Sequence, residues 1–262
     1  MKSVGLEFDG SVAIITIDNP PLNLTDADVF NGLEDAFDQI ETSNARAVLL
    51  RAAGDHFGCG VNIKTTFVGT DAVQARSLIG RSLSIMQRME ALPIPIVCAV
   101  QGFCFAAALE IALRCDIIVA SETAQFAQVE AAIGAATFLG GAYLLAERCG
   151  PVRAREICYT GQFFSAAKFE QWNIINQVVP DGELETASMA FSQQIADGPT
   201  KAHGVTKKLL RQYLDHGVRA ADDLLLGIGT PLFDSEDFRH GVETIVTHGS
   251  KAFRDRTRFV GR

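Results

Sequence analysis

The first eighteen residues, MKSVGLEFDGSVAIITID, alternate between apolar and polar positions and read as two short strands around a turn at Asp9-Gly10. The runs 12–17 and 47–51 are apolar, include β-branched residues and are bounded by turn formers, which suits buried strands. Between them, residues 25–41 place Val29, Leu33, Phe37 and Ile40 at helical spacing behind a Thr25/Asp26 cap. A strand–helix–strand unit follows. The pattern recurs, predicting a helix over 72–92, a strand over 96–99 after the breaker Pro93-Ile94-Pro95, a helix near 106–114, and strands over 116–120 and 124–127. Strands that alternate with helices imply an α/β fold with a mainly parallel sheet joined by crossovers.

From Gly140 onward the periodicity is helical almost throughout. Helices are predicted over 142–149, 152–160, 166–172, 184–196, 200–216, 218–227 and 237–248, with one strand-like patch at 177–179. The segments 217–229 and 234–254 are amphipathic, as helices that pack on a neighbouring subunit often are. The chain therefore divides into a core over 1–200 and a helical region over 201–262, with no internal repeat or low-complexity linker.

Composition narrows the classes. With 262 residues, 48% hydrophobic and 21% charged, the chain has the apolar content for a sizeable core, so disorder is not expected. A net charge of −8 argues against a nucleic-acid partner, which would need Lys and Arg gathered on one face. The opening stretch lacks the continuous apolar segment of a signal peptide, and no apolar run has the length of a membrane span, so a cytoplasmic location without membrane insertion is expected. The six cysteines form no CxxC pair and the five histidines no HxxxH, so neither a metal site nor a disulfide framework is expected.

Three stretches could carry chemistry. HFGCGVNIK at 56–64 follows a strand and holds two glycines one residue apart, which lets a backbone approach a ligand closely or turn with positive φ. It lacks the GK[ST] ending of a phosphate loop and the full GxGxxG of a dinucleotide site. VQGFCFAAALE at 100–110 runs from a strand through Gly102 into small residues that open a helix, so the Ala107 N–H could face a developing oxyanion; close helix-to-sheet packing is an equally good use of the same residues. Glu110 lies three residues on, in an otherwise apolar run, and FAQVEAAIG at 126–134 holds a second isolated carboxylate, Glu130. A carboxylate in apolar surroundings is costly unless paired, neutral or useful, and two of them are raw material for an acid/base pair.

Together these stretches stand in the order and spacing of the enoyl-CoA hydratase/isomerase (crotonase) superfamily, which the chain resembles over nearly its whole length. VAIITIDNPPLN is similar to that family's opening strand and turn, FGCGVNIK to its first oxyanion segment, AVQGFCFAAALEIALRCDIIVAS with AQFAQVEAAIG to its central signature, and TGQFFSAAKFEQWNIINQVVP to the helix and return strand that follow. The resemblance implies a spiral of ββα turns with a helical C-terminal trimerisation region, and a homotrimer or dimer of trimers. It implies an acyl-CoA substrate whose thioester oxygen is held by the N–H groups of Val61 and Ala107, with Glu110 and Glu130 as catalytic carboxylates. Hydration of a trans-2-enoyl-CoA is the leading activity, with double-bond isomerisation or another crotonase-type reaction the alternative, and a non-catalytic acyl-CoA binder or scaffold a second. No cofactor is implied beyond the coenzyme A that the substrate carries. Cys59, Asn62, Lys64, His248 and Lys251 fall where the family contacts coenzyme A, and Phe67, Val68, Phe105, Thr137 and Phe138 are expected around the acyl chain. The chain departs from the family pattern at Ala106–Ala108, where glycines are common, and at Asn62, where Asp is common.

Overall fold

The computed structural model describes residues 2–249 and 257–262. The two opening strands, β1 (Val4–Asp9) and β2 (Val12–Ile17), pair antiparallel from Val4↔Ile17 to Asp9↔Val12 around Gly10. Helix α1 (Ala27–Glu41) begins where the cap pattern puts it: the Asp26 carboxylate accepts from the N–H groups of Asp28 and Val29, two of the donors a helix start leaves unpaired. Its apolar face, Val29 to Ile40, is buried, and the chain returns along β3 (Ala47–Ala52) parallel to β2. A single-turn helix, α2 (Ile63–Thr66), which the periodicity does not reveal, precedes α3 (Ala72–Ala91).

The next two turns repeat one plan. Strand β4 (Ile96–Val100) bends at Gly102 into β5 (Phe103–Phe105) and enters α4 (Ala107–Leu113); β6 (Ile117–Ser121) bends into β7 (Gln125–Ala127) and enters a 3-10 turn (Glu130–Ile133). Gly102 has φ +55°, and a Cβ there would sit 2.0 Å from the Asp55 carbonyl oxygen, so the corner requires glycine. Successive turns stack: β4 pairs parallel with β6, and β5 pairs parallel with β7. The large sheet has the order β1-β2-β3-β4-β6-β9, all parallel after the first pair and closed by β9 (Gln177–Val179); the small sheet has the order β5-β7-β8, with β8 (Phe164–Ser165) antiparallel.

Both faces of the large sheet are covered, which explains its near-continuous apolar strands. Ala13, Ile15, Val48, Leu50, Cys98 and Ile118 face the spiral interior, whereas their neighbours Val12, Ile14, Leu49, Val97 and Val119 pack under α7 (Leu184–Ala196). The predicted helices 142–149 and 152–160 form one run, α5 (Gly141–Thr160), whose backbone leaves the helical region at Gly150 (φ 79°, ψ 160°) just before Pro151. Helix α6 (Ala166–Gln171) leads to β9.

The C-terminal helices α8 (Thr200–His216), α9 (Val218–Ile228) and α10 (Glu236–His248) lie where their periodicity predicts. No residue of α8 or α9 is buried, and Tyr213, Leu214, Leu225, Leu226 and Val246 are among the apolar side chains left exposed there. Among the described residues, no helix is long and apolar enough to cross a membrane.

Candidate active site

The two segments flagged as oxyanion donors are brought together by the small sheet. Residues 57–58 run beside β5: the Gly58 N–H donates to the Phe103 carbonyl (3.0 Å) and the Phe105 N–H to the Gly58 carbonyl (2.9 Å). The chain then turns at Gly60 (φ +87°), where the Thr25 N–H caps the Gly60 carbonyl at 2.7 Å. A Cβ on Gly58 would lie 2.8 Å from the Ala108 methyl, and one on Gly60 3.0 Å from the Ala106 methyl and 3.9 Å from the Ala107 nitrogen. The two glycines thus set the distance between the 58–61 loop and the start of α4. Neither the Val61 N–H nor the Ala107 N–H has an acceptor among the described residues, and both residues line one cavity.

That cavity has a volume of about 140 Å³, and its wall is almost entirely apolar. Ile63, Phe67, Leu78, Ile79, Phe30, Ile133, Phe138 and Leu139 contribute side chains, and Phe67 meets Phe138 edge to face at 6.2 Å. The only carboxylates lining it among the described residues are Asp26 at the cap of α1, Glu110 and Glu130.

The two glutamates sit in different surroundings. Glu110, buried on α4, accepts the N–H groups of Leu139 and Gly141 at 2.8 Å each through Oε1. Burial raises its pKa, while those backbone donors and the Arg114 guanidinium pull the other way. Glu130, at the head of the 3-10 turn, is half-buried, and desolvation first, then the nearby Glu110 charge, pushes its pKa up to about 7. The Gln128 amide, with its NH2 turned toward that carboxylate, donates to Oε1 at 2.8 Å and Oε2 at 2.9 Å. Gly141 closes the group, since a Cβ there would clash with the Gln128 side-chain amide and fall 3.1 Å from Glu110 Cγ.

Of the residues singled out from the sequence, Glu110, Glu130, Val61, Ala107, Cys59, Phe67 and Phe138 converge on this cavity. Cys59 stands at its wall half-buried, its thiol pKa raised by desolvation. Three of the expected acyl-chain residues lie apart from the lining. Val68 is 74% exposed on a neighbouring surface depression, in the turn that follows the one-turn helix α2. Phe105 is stacked between Phe103 and Phe163 at 4.8 and 4.6 Å, and the Thr137 hydroxyl accepts the Ala142 N–H at 3.0 Å to cap the start of α5. Asn62, Lys64 and the exposed His248 are also outside the lining, and Lys251 lies outside the described residues. Gln128 was not foreseen from the sequence, although an amide two residues before Glu130 in an apolar run was the available signal, whereas Gly140-Gly141 after Phe138-Leu139 reads from the sequence as a helix start open to close approach, with structural and functional uses equally good. No cluster of three metal-binding side chains occurs among the described residues.

The stacked ββα turns with the helical C-terminal layer are the crotonase fold. The enoyl-CoA hydratase/isomerase family model matches residues 7–256, and the chain belongs to that family. The short-chain-enoyl-CoA hydratase of Clostridium acetobutylicum is 30% identical over 246 residues, 91% of this chain and 88% of that protein. The 1,2-epoxyphenylacetyl-CoA isomerase of Escherichia coli K12 is 27% identical over 260 residues, 97% and 98% of the two chains. The crystal structure of an enoyl-CoA hydratase subunit I from Geobacillus kaustophilus superposes with a TM-score of 0.91 at 26% identity, covering 99% of this chain and 98% of that one.

Proposed function

We propose that the protein hydrates a trans-2-enoyl-CoA. The observation that carries this reading is the convergence of two unpaired backbone N–H groups and two glutamates of unequal environment on one apolar cavity. The thioester oxygen would sit between the Val61 and Ala107 N–H groups, where enolate charge accumulates as hydroxide adds to the β-carbon. One water is divided in the reaction. Its oxygen joins the β-carbon, its proton passes to Glu110, and Glu130 delivers a proton to the α-carbon, after which the carboxyl groups exchange the proton to restore the start. Substrate carries coenzyme A, so no separate cofactor takes part. The hydratase name of the Clostridium relative supports hydration, and the isomerase name of the Escherichia relative keeps proton shuttling on one carboxylate as the alternative. The exposed apolar residues of α8–α10 support assembly of copies through that layer.

The test is loss of the conjugated enoyl-thioester absorbance with purified protein and crotonyl-CoA, with Glu110→Gln and Glu130→Gln alongside. Turnover by wild type and failure of both variants, with acyl-CoA binding retained, supports hydration. A wild type that binds acyl-CoA and moves a β,γ double bond while leaving crotonyl-CoA unchanged overturns it in favour of isomerisation; a wild type that binds but converts neither is the non-catalytic case.

A further inference from the structure

Glu110 and Arg114 stand one helical turn apart at the end of α4, at positions that share a face. Both reach the same short turn. Glu110 Oε1 accepts the N–H groups of Leu139 and Gly141, and Arg114 Nη2 donates to the Leu139 carbonyl at 2.7 Å. The turn is gripped by opposite charges through its opposite polar groups. The Leu139 carbonyl shares a peptide unit with the Gly140 N–H, which also favours the charged form of Glu110. A guanidinium on that oxygen polarises the peptide and strengthens the donor on its other end.

The Arg114 side chain is only 3% exposed, and its second arm, Nη1, donates to Glu90 Oε2 on α3 at 2.7 Å. Glu90 is approached in turn by Arg211 of α8 at 3.4 Å, and Arg211 pairs with Asp215 at 3.0 Å. The Tyr143 hydroxyl lies 3.4 Å from Nη2, and Nε has no acceptor among the described residues. A buried ion pair is a poor stabilising device, because desolvation offsets the attraction, and an unsatisfied Nε adds to that cost. Stability alone does not account for an arginine here.

We propose that Arg114, held in place by Glu90, is a positioning residue for the reaction: it fixes the 139–141 turn and, through that turn, the orientation and charge of the Glu110 carboxylate. The proposal rests on the reading of Glu110 as a catalytic carboxylate. The charged and titratable groups around Glu110 are Arg114 on its own helix, Glu130 on the 3-10 turn, Tyr143, Glu147 and Cys158 on α5, Glu90 on α3, and Arg211 beyond it on α8. Arg114 is the only cation among them that touches the turn holding Glu110.

The experiment compares wild type with Arg114→Met, Arg114→Lys and the pair Glu90→Gln/Arg114→Met, which removes both charges together so that no carboxylate is left unpaired. Each is measured for hydration kinetics against pH and, after labelling with [13C]glutamate, for titration of the Glu110 carboxyl, assigned as the resonance missing from Glu110→Gln. The expected result is a kcat loss of about 100-fold in Arg114→Met with KM little changed, partial recovery in Arg114→Lys, and titration of Glu110 at higher pH than in wild type. Unchanged kcat, or a loss of kcat with the Glu110 titration unmoved, overturns the proposal. The NMR arm needs no turnover: if wild type does not hydrate yet the titration moves, the hydratase reading fails and the positioning of Glu110 by Arg114 stands.

Discussion

Replacing Ala106 by glycine should stabilise the protein, and the sign of that effect tests how the oxyanion segment is built. Ala106 has φ 50° and ψ −124°, a region that L residues with a Cβ enter at a cost of roughly 1–3 kcal/mol. Glycine enters it freely but loses more chain entropy on folding, roughly 0.5–1 kcal/mol relative to alanine. The difference leaves a gain of about 1 kcal/mol, or about 2–4 °C in melting temperature for a chain of this size. Ala108, two residues on, lies within α4, and its methyl packs over Gly58. Ala108→Gly should therefore lose about 1 kcal/mol. Differential scanning calorimetry of the two variants and wild type, at one protein concentration because any assembly couples to unfolding, should give opposite displacements. A fall of similar size in both would show that Ala106 is not strained and that its methyl contact near Gly60 outweighs the backbone term.

Gly141→Ala should cut turnover sharply while the fold survives, because the new methyl would clash with the Gln128 side-chain amide and fall 3.1 Å from Glu110 Cγ; a rate loss of about 100-fold or more with unchanged circular dichroism is expected, and wild-type kcat would refute it. Glu130→Gln should stabilise the protein at alkaline pH. A carboxyl raised from 4.5 to about 7 makes the native state bind more protons than the unfolded chain between those values. Its contribution is thus most favourable below the unfolded pKa and falls as pH rises through the folded one. Removing the ionisable group should then gain about 1–2 kcal/mol at alkaline pH, after discounting for partial exposure, and nothing at pH 4; denaturant midpoints that differ equally at both pH values would refute it.

Much of this molecule was legible because the relevant signals are local. Strand and helix periods located α1, α7 and α10, since each buries or caps residues within its own segment. The isolated carboxylates Glu110 and Glu130 and the glycines of 56–64 were visible for the same reason. What escaped depends on contacts between distant segments. Val68 follows Phe67 in a run that reads as one apolar patch, yet in the turn after α2 Phe67 lines the cavity while Val68 faces solvent. Phe105 looked like a pocket residue because it stands next to the oxyanion segment, but alternation along β5 turns it into the aromatic stack with Phe103 and Phe163. The paired glycines at 140–141 read as a helix start open to close approach, but that their turn donates to Glu110 appears only once α4 is packed against it.

The asymmetry between the two glutamates decides how they divide the work in the proposed reaction. Burial raises the pKa of Glu110, but two backbone N–H groups on one oxygen, with a guanidinium behind those donors, oppose that rise and fix the carboxylate's geometry, as suits the group that takes a proton from water. Glu130 is held by the neutral Gln128 amide and its own backbone N–H, and desolvation pushes its pKa up to about 7, as suits the group that gives and regains the α-proton. Each charge also disfavours the other, so a proton on Glu130 keeps Glu110 ionised, and transfer of that proton to substrate is followed by uptake of the water's proton by the pair. On this basis Glu110→Gln should slow hydration while leaving exchange of the α-proton of a saturated acyl-CoA with deuterium from solvent measurable, whereas Glu130→Gln should stop both; exchange lost in Glu110→Gln and kept in Glu130→Gln would reverse the assignment.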